Sequence, residues 1–438
     1  MIYLLVKKLV KFSLYIFFKR IVISGREHIP SKGPLIIVSN HPNTLMDPFT
    51  IGVHTKQRIG FLGNAGLFEN KLVARIFKYF HVIPVYRKQD VPEGAKRDNS
   101  SAFAACHAYL QGEGTIVIFP EGTSHYELKL REIKTGTARI ALSYEALHQF
   151  KGGLKILPIA LDYSDSIQFR SMLSVHVSPP MTLEAYQEQY ELDNALGVKA
   201  LTDDTEKELA RHIPQTATKD QEALLVKTHS FYTTFHEPEA DLHLDPARSL
   251  KVRKQLSQKL QELHESHPQD YDKLQSQVHS FFWGLKKARI TPGFFTAGFQ
   301  QKSPFLVCLG YALTFLLLLP VYLFGLLTNY LPYTLPSRIF RALHIEIEYK
   351  AALQMCIGMF TFPIFYGLEL ALFRSCISEE IWHSLLFLIA LPISGYIAMY
   401  FYTEAKRFAR VLRYYFRLKP EKKEDLMELR DKISEILL

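Results

Sequence analysis

His41 and Asp47 are the residues of this 438-residue chain whose types and spacing most invite chemistry. They sit in "LIIVSNHPNTLMD", residues 35–47. The run 35–39 is short, β-branched and bounded by Gly33-Pro34 and Asn40, so it predicts a core strand. His41 lies just past its end, Pro42 and Asn43 bend the chain, and a carboxylate follows. An imidazole at a strand end with an acid a few residues on is how a general base and its orienting partner are built. An ordinary strand-to-helix turn, with Asp47 as an N-cap, accounts for the same residues.

A second stretch favours the chemical reading. "FPEGTSH", residues 119–125, follows another apolar strand, "TIVIF". Between the two lies "VIPVYR", ending in Arg87, and after them "LKILPIAL", containing Pro158. These four blocks, in this order across roughly residues 25–180, resemble the glycerolipid acyltransferases that acylate glycerol phosphate and lysophosphatidate. The resemblance implies an α/β acyltransferase domain, a mixed sheet covered by helices. It also implies acyl transfer from acyl-CoA or acyl-ACP, as cosubstrate, to glycerol 3-phosphate or 1-acylglycerol 3-phosphate, with no bound cofactor.

On that reading His41 takes the proton of the acceptor hydroxyl, and Asp47 holds the other ring nitrogen and stabilises the imidazolium. The family's usual pattern has four residues between His and Asp. Here five intervene, a longer turn similar to that of glycerol-3-phosphate acyltransferases. Arg87 is placed to grip a phosphate in bidentate fashion. Gly122 allows close backbone approach and offers an N–H to an anion, and Glu121 meets acceptor hydroxyls or clamps Arg87. An arginine commonly follows two residues after the glycine. Ser124 stands there instead, so phosphate contacts pass to Arg87, Ser124 and Lys134 of "KTGTARIA". Serine at this position resembles the glycerol-3-phosphate members slightly more. Pro158 is expected to shape a wall. His41, Asp47, Glu121 and His125 lack the regular spacing of a metal site. Another lysophospholipid or a neutral glyceride is an alternative acceptor. The altered spacing and missing arginine also suit a non-catalytic lipid-binding membrane protein on the same fold.

The elements that must position these residues follow from patterning. Residues 21–180 alternate strands (21–24, 35–39, 59–62, 81–86, 115–119, 154–162, 172–178) with helices such as 101–112 and 136–145. In residues 1–20, Lys7, Lys8, Lys11 and Lys19 fall within about 120° of a helical wheel. The remaining face is mainly Leu, Val, Ile, Phe and Tyr, which predicts an amphipathic helix in a membrane interface, its lysines at the headgroups. Residues 181–300 are polar and helix-prone, an extension or insertion suited to regulation, dimer contact or packing against the membrane segment. Three apolar stretches, 304–335, 351–373 and 381–402, are long enough to span a bilayer, and a charged helical tail follows at 404–438. Lys286, Lys287 and Arg289 before the first stretch and Lys406, Arg407, Arg410 and Arg413 after the last both favour the cytoplasm. Three crossings would separate them, whereas a re-entrant hairpin at Pro320 or Asn329 would not. The catalytic domain is expected to face the cytoplasm. The net charge of +9 lies largely beside apolar segments, which fits an anionic membrane surface or substrate, and no nucleic-acid motif is present. Four cysteines, Cys106, Cys308, Cys356 and Cys376, have no metal-ligand spacing and are read as reduced, buried thiols.

Overall fold

The computed structural model describes residues 2–86, 99–237 and 245–437, apart from the side chains of Leu67, Leu72 and Val73. The chain forms two compact units. The first comprises residues 1–215 together with 243–251 and 346–352. The second comprises 216–242, 252–345 and 353–438.

The first unit opens with α1 (Ile2–Phe17), β1 (Arg20–Ser24), β2 (Leu35–Ser39), α2 (Met46–His54), β3 (Ile59–Asn64), α3 (Lys71–Tyr79) and β4 (Val82–Val85). It continues with α4 (Ser100–Gln111), β5 (Thr115–Ile118), α5 (Gly136–Leu147), β6 (Lys155–Tyr163), β7 (Met172–Val177), β8 (Met181–Thr182), α6 (Gln187–Leu192) and α7 (Asn194–Ala210). The strands make one mixed sheet in the order β1-β7-β6-β2-β5-β3-β4, with β8 beside β6. Pairs are parallel except β6 with β7 and β6 with β8. Every residue of β2 and β5 is buried. That explains why both read as uninterrupted apolar runs: a central parallel strand is covered on both faces. Pro158 sits where the partner of β6 changes. Ile156 pairs with β8 and Ile159 with β7, and the Pro158 carbonyl accepts the Ser178 N–H. A break in the ladder tolerates a residue with no N–H.

Helix α1 packs Val10, Leu14 and Phe17 inward and leaves Leu4, Leu5, Leu9 and Phe12 exposed. One expectation needs correcting. Lys7 does not reach outward with the other lysines but donates to the Thr55 carbonyl at the end of α2. Residues 181–300, read as one extension, are divided. Leu183, Val198, Leu201 and Leu209 join the core of the first unit, while residues 216–242 and 252–300 belong to the second.

The second unit contains α8 (Lys219–Phe235), α9 (Pro246–Ser266, from Val252 onward), α10 (Pro268–Ala288), α11 (Ala297–Gln300), α12 (Pro304–Leu343), α13 (Lys350–Cys376, from Leu353 onward), α14 (Ile381–Phe416) and α15 (Pro420–Leu437). Leu225, Phe231, Leu274, Phe281, Leu426 and Ile433 form its apolar centre. Among the described residues three helices are long and apolar enough to cross a membrane. The proposed re-entrant hairpin is absent, because α12 is one helix through Pro320, Asn329, Pro332 and Pro336. A proline forfeits the bond to the carbonyl four residues back. The carbonyl left free by Pro336, that of Pro332, accepts from Thr361 Oγ1 at 3.2 Å. Helix α14 runs antiparallel to α12. Gly325 lies against the Ser394 backbone, Asn329 Nδ2 donates to the Leu391 carbonyl at 3.1 Å, and Tyr322 stacks on Phe401. Cys106 is buried, but Cys376, expected to be buried, is exposed at the end of α13, and all four thiols are free.

Candidate active site

The site grows from the register of two neighbouring strands. Leu35 pairs with Thr115 and Val38 with Ile118, so β2 and β5 end level with each other. Three residues beyond each last rung stand His41 and Glu121. Three hydrogen bonds then join the two loops. The His41 N–H donates to Glu121 Oε1 at 2.8 Å, the Thr44 N–H to Ser124 Oγ at 2.9 Å, and the His125 N–H to the His41 carbonyl at 3.1 Å. On the other side of β2, Asn40 extends the pairing with β6. Its amide donates to the Leu161 carbonyl at 2.8 Å and accepts the Leu161 N–H at 2.7 Å.

The His41 ring lies flat on Phe119, centroids 4.1 Å apart. Its Nδ1 is 2.8 Å from Asp47 Oδ2, with the Asp47 side chain 0% exposed and that of His41 17%. Asp47 occupies the first turn of α2. Its carboxylate also accepts the Asn43 N–H at 2.8 Å and the Tyr163 O–H at 2.7 Å. A carboxylate can only accept, so it selects the tautomer with hydrogen on Nδ1 and leaves Nε2 with its lone pair. Among the described residues Nε2 has no hydrogen-bond partner. The arrangement presents a basic nitrogen at the partly open side of the pair.

Two expected substrate ligands, Glu121 and Ser124, are bonded within the protein. Glu121 is 8% exposed, and its second oxygen accepts the Arg131 N–H at 3.3 Å. Both its oxygens therefore brace loops. Burial raises its pKa above the ordinary carboxylate value, while the two N–H groups oppose that rise. Ser124 Oγ holds Thr44. The N–H of Gly122, expected to face an anion, closes a turn onto the Phe119 carbonyl at 3.1 Å. What Gly122 does provide is room: with φ +80 and no Cβ it lets the Lys134 ammonium lie against it. Lys134 is exposed there, its own N–H bonded to the Pro120 carbonyl at 2.9 Å. Arg87 lies outside the described residues.

Several residues of the site were missed in the sequence. Asn43 ties Asp47 through its backbone and Ser166 through its amide. Thr44 Oγ1 donates to the Glu348 carbonyl at 2.9 Å. Arg131 donates to His125 Nε2 at 3.0 Å and grips Glu127 through two nitrogens at 3.0 and 2.7 Å. A guanidinium only donates, so His125 Nε2 accepts. Burial and the Arg131 charge lower the pKa of His125. A guanidinium is thus present in the loop where the usual arginine is missing, seven residues past Ser124. Tyr163 was the hardest to find: its only sequence signal is a tyrosine at the end of an apolar strand, buried from Ile156 onward, where its hydroxyl needs a partner. Among the described residues no group of three or more His, Cys, Asp or Glu is arranged to hold a metal ion.

Residues 20–162 match the family model Acyltransferase. The chain is 28% identical over 203 residues to the 1-acyl-sn-glycerol-3-phosphate acyltransferase of Borreliella burgdorferi, covering 45% of this chain and 75% of that protein. It is 27% identical over 150 residues to the chloroplastic 1-acyl-sn-glycerol-3-phosphate acyltransferase LPAT1 of Arabidopsis thaliana, covering 34% of this chain and 37% of that one. The crystal structure of the 1-acyl-sn-glycerophosphate acyltransferase PlsC of Thermotoga maritima aligns with a TM-score of 0.33 at 20% identity, over 46% of this chain and 78% of that one.

Proposed function

We propose that this chain, whose residues 20–162 match the family model Acyltransferase and whose relatives are named 1-acyl-sn-glycerol-3-phosphate acyltransferases, moves a fatty acyl group from acyl-CoA or acyl-ACP to a glycerol-phosphate acceptor at a membrane. The names of the relatives make 1-acylglycerol 3-phosphate the first acceptor to test, with glycerol 3-phosphate second. The observation that supports the reading most directly is the 2.8 Å contact of His41 Nδ1 with the buried Asp47, which leaves Nε2 as a base.

The acceptor O–H gives its proton to His41 Nε2 as its oxygen attacks the thioester carbonyl. The tetrahedral intermediate collapses, the C–S bond breaks, and the imidazolium returns the proton to the departing thiolate. Asp47 balances the transient charge. No acyl-enzyme is needed, because the acceptor itself is the nucleophile. Lys134, at the Gly122 turn, and Arg87 are assigned to the acceptor phosphate. The apolar helices α12, α13 and α14 hold the chain in the bilayer, and the outward face of α1 lies on lipid. We place the catalytic unit on the cytoplasmic side from the basic flank Lys286, Lys287 and Arg289 alone, since three crossings would set the flank at 406–413 on the other side.

The test is a donor and acceptor panel on purified protein in lipid nanodiscs, with His41→Ala as the control. Transfer to phosphate-bearing acceptors by the parent, abolished in a folded His41→Ala variant, is the expected result. Full activity in that variant removes His41 from the mechanism. Equal use of neutral glycerides would reassign the acceptor.

A further inference from the structure

Asp47 receives more hydrogen bonds than a partner of His41 requires. Oδ2 faces His41 Nδ1 and the Asn43 N–H, both at 2.8 Å. Oδ1 accepts from the Tyr163 hydroxyl at 2.7 Å. Tyr163 is 3% exposed and ends β6, the strand next to β2. The sheet thus delivers a phenol from one strand to the carboxylate that serves the histidine leaving its neighbour. Burial and the Asp47 charge hold the phenol pKa well above the usual range, so it stays a donor at working pH.

We infer that Tyr163 is a positioning residue: through its hydrogen bond to Asp47 it sets how strongly that carboxylate holds the His41 proton. The inference rests on His41 being the base proposed above. A carboxylate spreads a fixed negative charge over the donors it faces, and each hydrogen bond lessens its pull on the next. Removing the phenol O–H concentrates that pull on His41 Nδ1–H and raises the proton affinity of the ring, so that less of it is free base near neutral pH. Asn43 contributes a backbone N–H, which no side-chain substitution removes, so Tyr163 is the adjustable donor. The other ionisable groups near the pair are Glu121, which holds the His41 N–H, and His125, which holds the His41 carbonyl. Neither touches Tyr163 among the described contacts, so substituting Tyr163 leaves both in place.

The experiment reads His41 directly. Full-length protein in nanodiscs is treated with diethyl pyrocarbonate, which modifies neutral imidazole, and the rate at the His41 peptide is followed by mass spectrometry from pH 5 to 9. Tyr163→Phe is expected to move the midpoint of that profile to higher pH by about half a unit to one unit. The acidic limb of kcat/KM should move with it, giving a loss of about three- to tenfold on that limb that disappears on the alkaline plateau, with little change in KM. Replacing Tyr163 by 3-fluorotyrosine, a stronger donor of nearly the same shape, should move both profiles the opposite way, and this arm stands if Tyr163→Phe fails to fold. Unmoved midpoints in the folded variants overturn the inference and leave Tyr163 a packing residue. Absence of transfer in the parent protein would refute the proposed reaction while the modification profile still decides this point.

Discussion

Replacing Asp47 by asparagine isolates the electrostatic work of the pair. The substitution keeps the shape of the side chain but removes its charge, 2.8 Å from His41 Nδ1. With charge centres about 4 Å apart and an effective dielectric near 20, the carboxylate stabilises the imidazolium by about 4 kcal/mol. That energy is gained only when the ring is protonated, which is when the transition state is reached, so about a thousandfold in kcat is at stake. The 17% exposure of His41 admits some solvent screening, so the expected loss is about 10²- to 10³-fold. Asparagine also cannot satisfy its neighbours. Three donors converge on Asp47, and an amide offers one oxygen, so either His41 and Asn43 or Tyr163 meets an NH₂. The assay is radiolabelled acyl transfer in nanodiscs from pH 5.5 to 9, with circular dichroism to verify the fold. The acidic limb should move to lower pH, because the ring loses its proton more readily without the anion. A folded variant retaining more than a tenth of the parent kcat would refute the reasoning and reduce Asp47 to a helix cap.

Other expectations follow from the loops around the pair. Glu121 has a pKa raised above 4.5, so the folded state takes up a proton before the unfolded one does. Its contribution is full below 4.5 and lost as pH rises through the raised folded value. Subtracting the Glu121→Gln thermal midpoints from those of the parent between pH 4 and 7 should show that slope, and a flat difference contradicts it. Gly122→Ala puts a Cβ where the Lys134 ammonium lies and costs about 1–2 kcal/mol for the left-handed backbone. The thermal midpoint should fall and KM for phosphate-bearing acceptors should rise several-fold. An unchanged KM in the folded variant frees Lys134 of a phosphate role. Gly325→Leu forces a side chain into the Ser394 backbone and should lower the unfolding midpoint of the second unit in detergent, where a surface change such as Leu327→Ala on the same helix should not.

Much of the fold was legible because its central strands are buried on both faces. The runs at β2 and β5 need no periodicity to be recognised, only their β-branched residues and the glycine, proline or asparagine that bound them. Helix α2 was harder to see, with Pro48 in its first turn and only nine residues. Helix α12 was obscured by the opposite problem. Its prolines suggested interruption, and the hydroxyl that satisfies the carbonyl freed by Pro336 comes from Thr361, twenty-five residues later. A capping group supplied from another helix cannot be inferred from the helix it caps.

The site divides along the same line. Residue types within one loop were readable, whereas their wiring depends on pairings between loops. Inside "FPEGTSH" alone, Glu121 and Ser124 show only their capacity to meet a substrate. The pairing of Val38 with Ile118 puts the other loop directly in their reach, and its N–H groups claim them. The spacing of His41 and Asp47 makes the converse point. An extra residue looked like a threat to the contact. Instead, the Asn43 carbonyl accepts from both Met46 and Asp47 N–H, at 2.9 and 3.2 Å, while the Asn43 N–H binds the Asp47 carboxylate. The added residue is taken up in a closed turn at the start of α2, and the acid still faces back toward β2. What the pair requires is therefore a carboxylate in the first turn of a helix that follows the histidine's strand, held by donors from both sides. A count of intervening residues is only a proxy for that geometry.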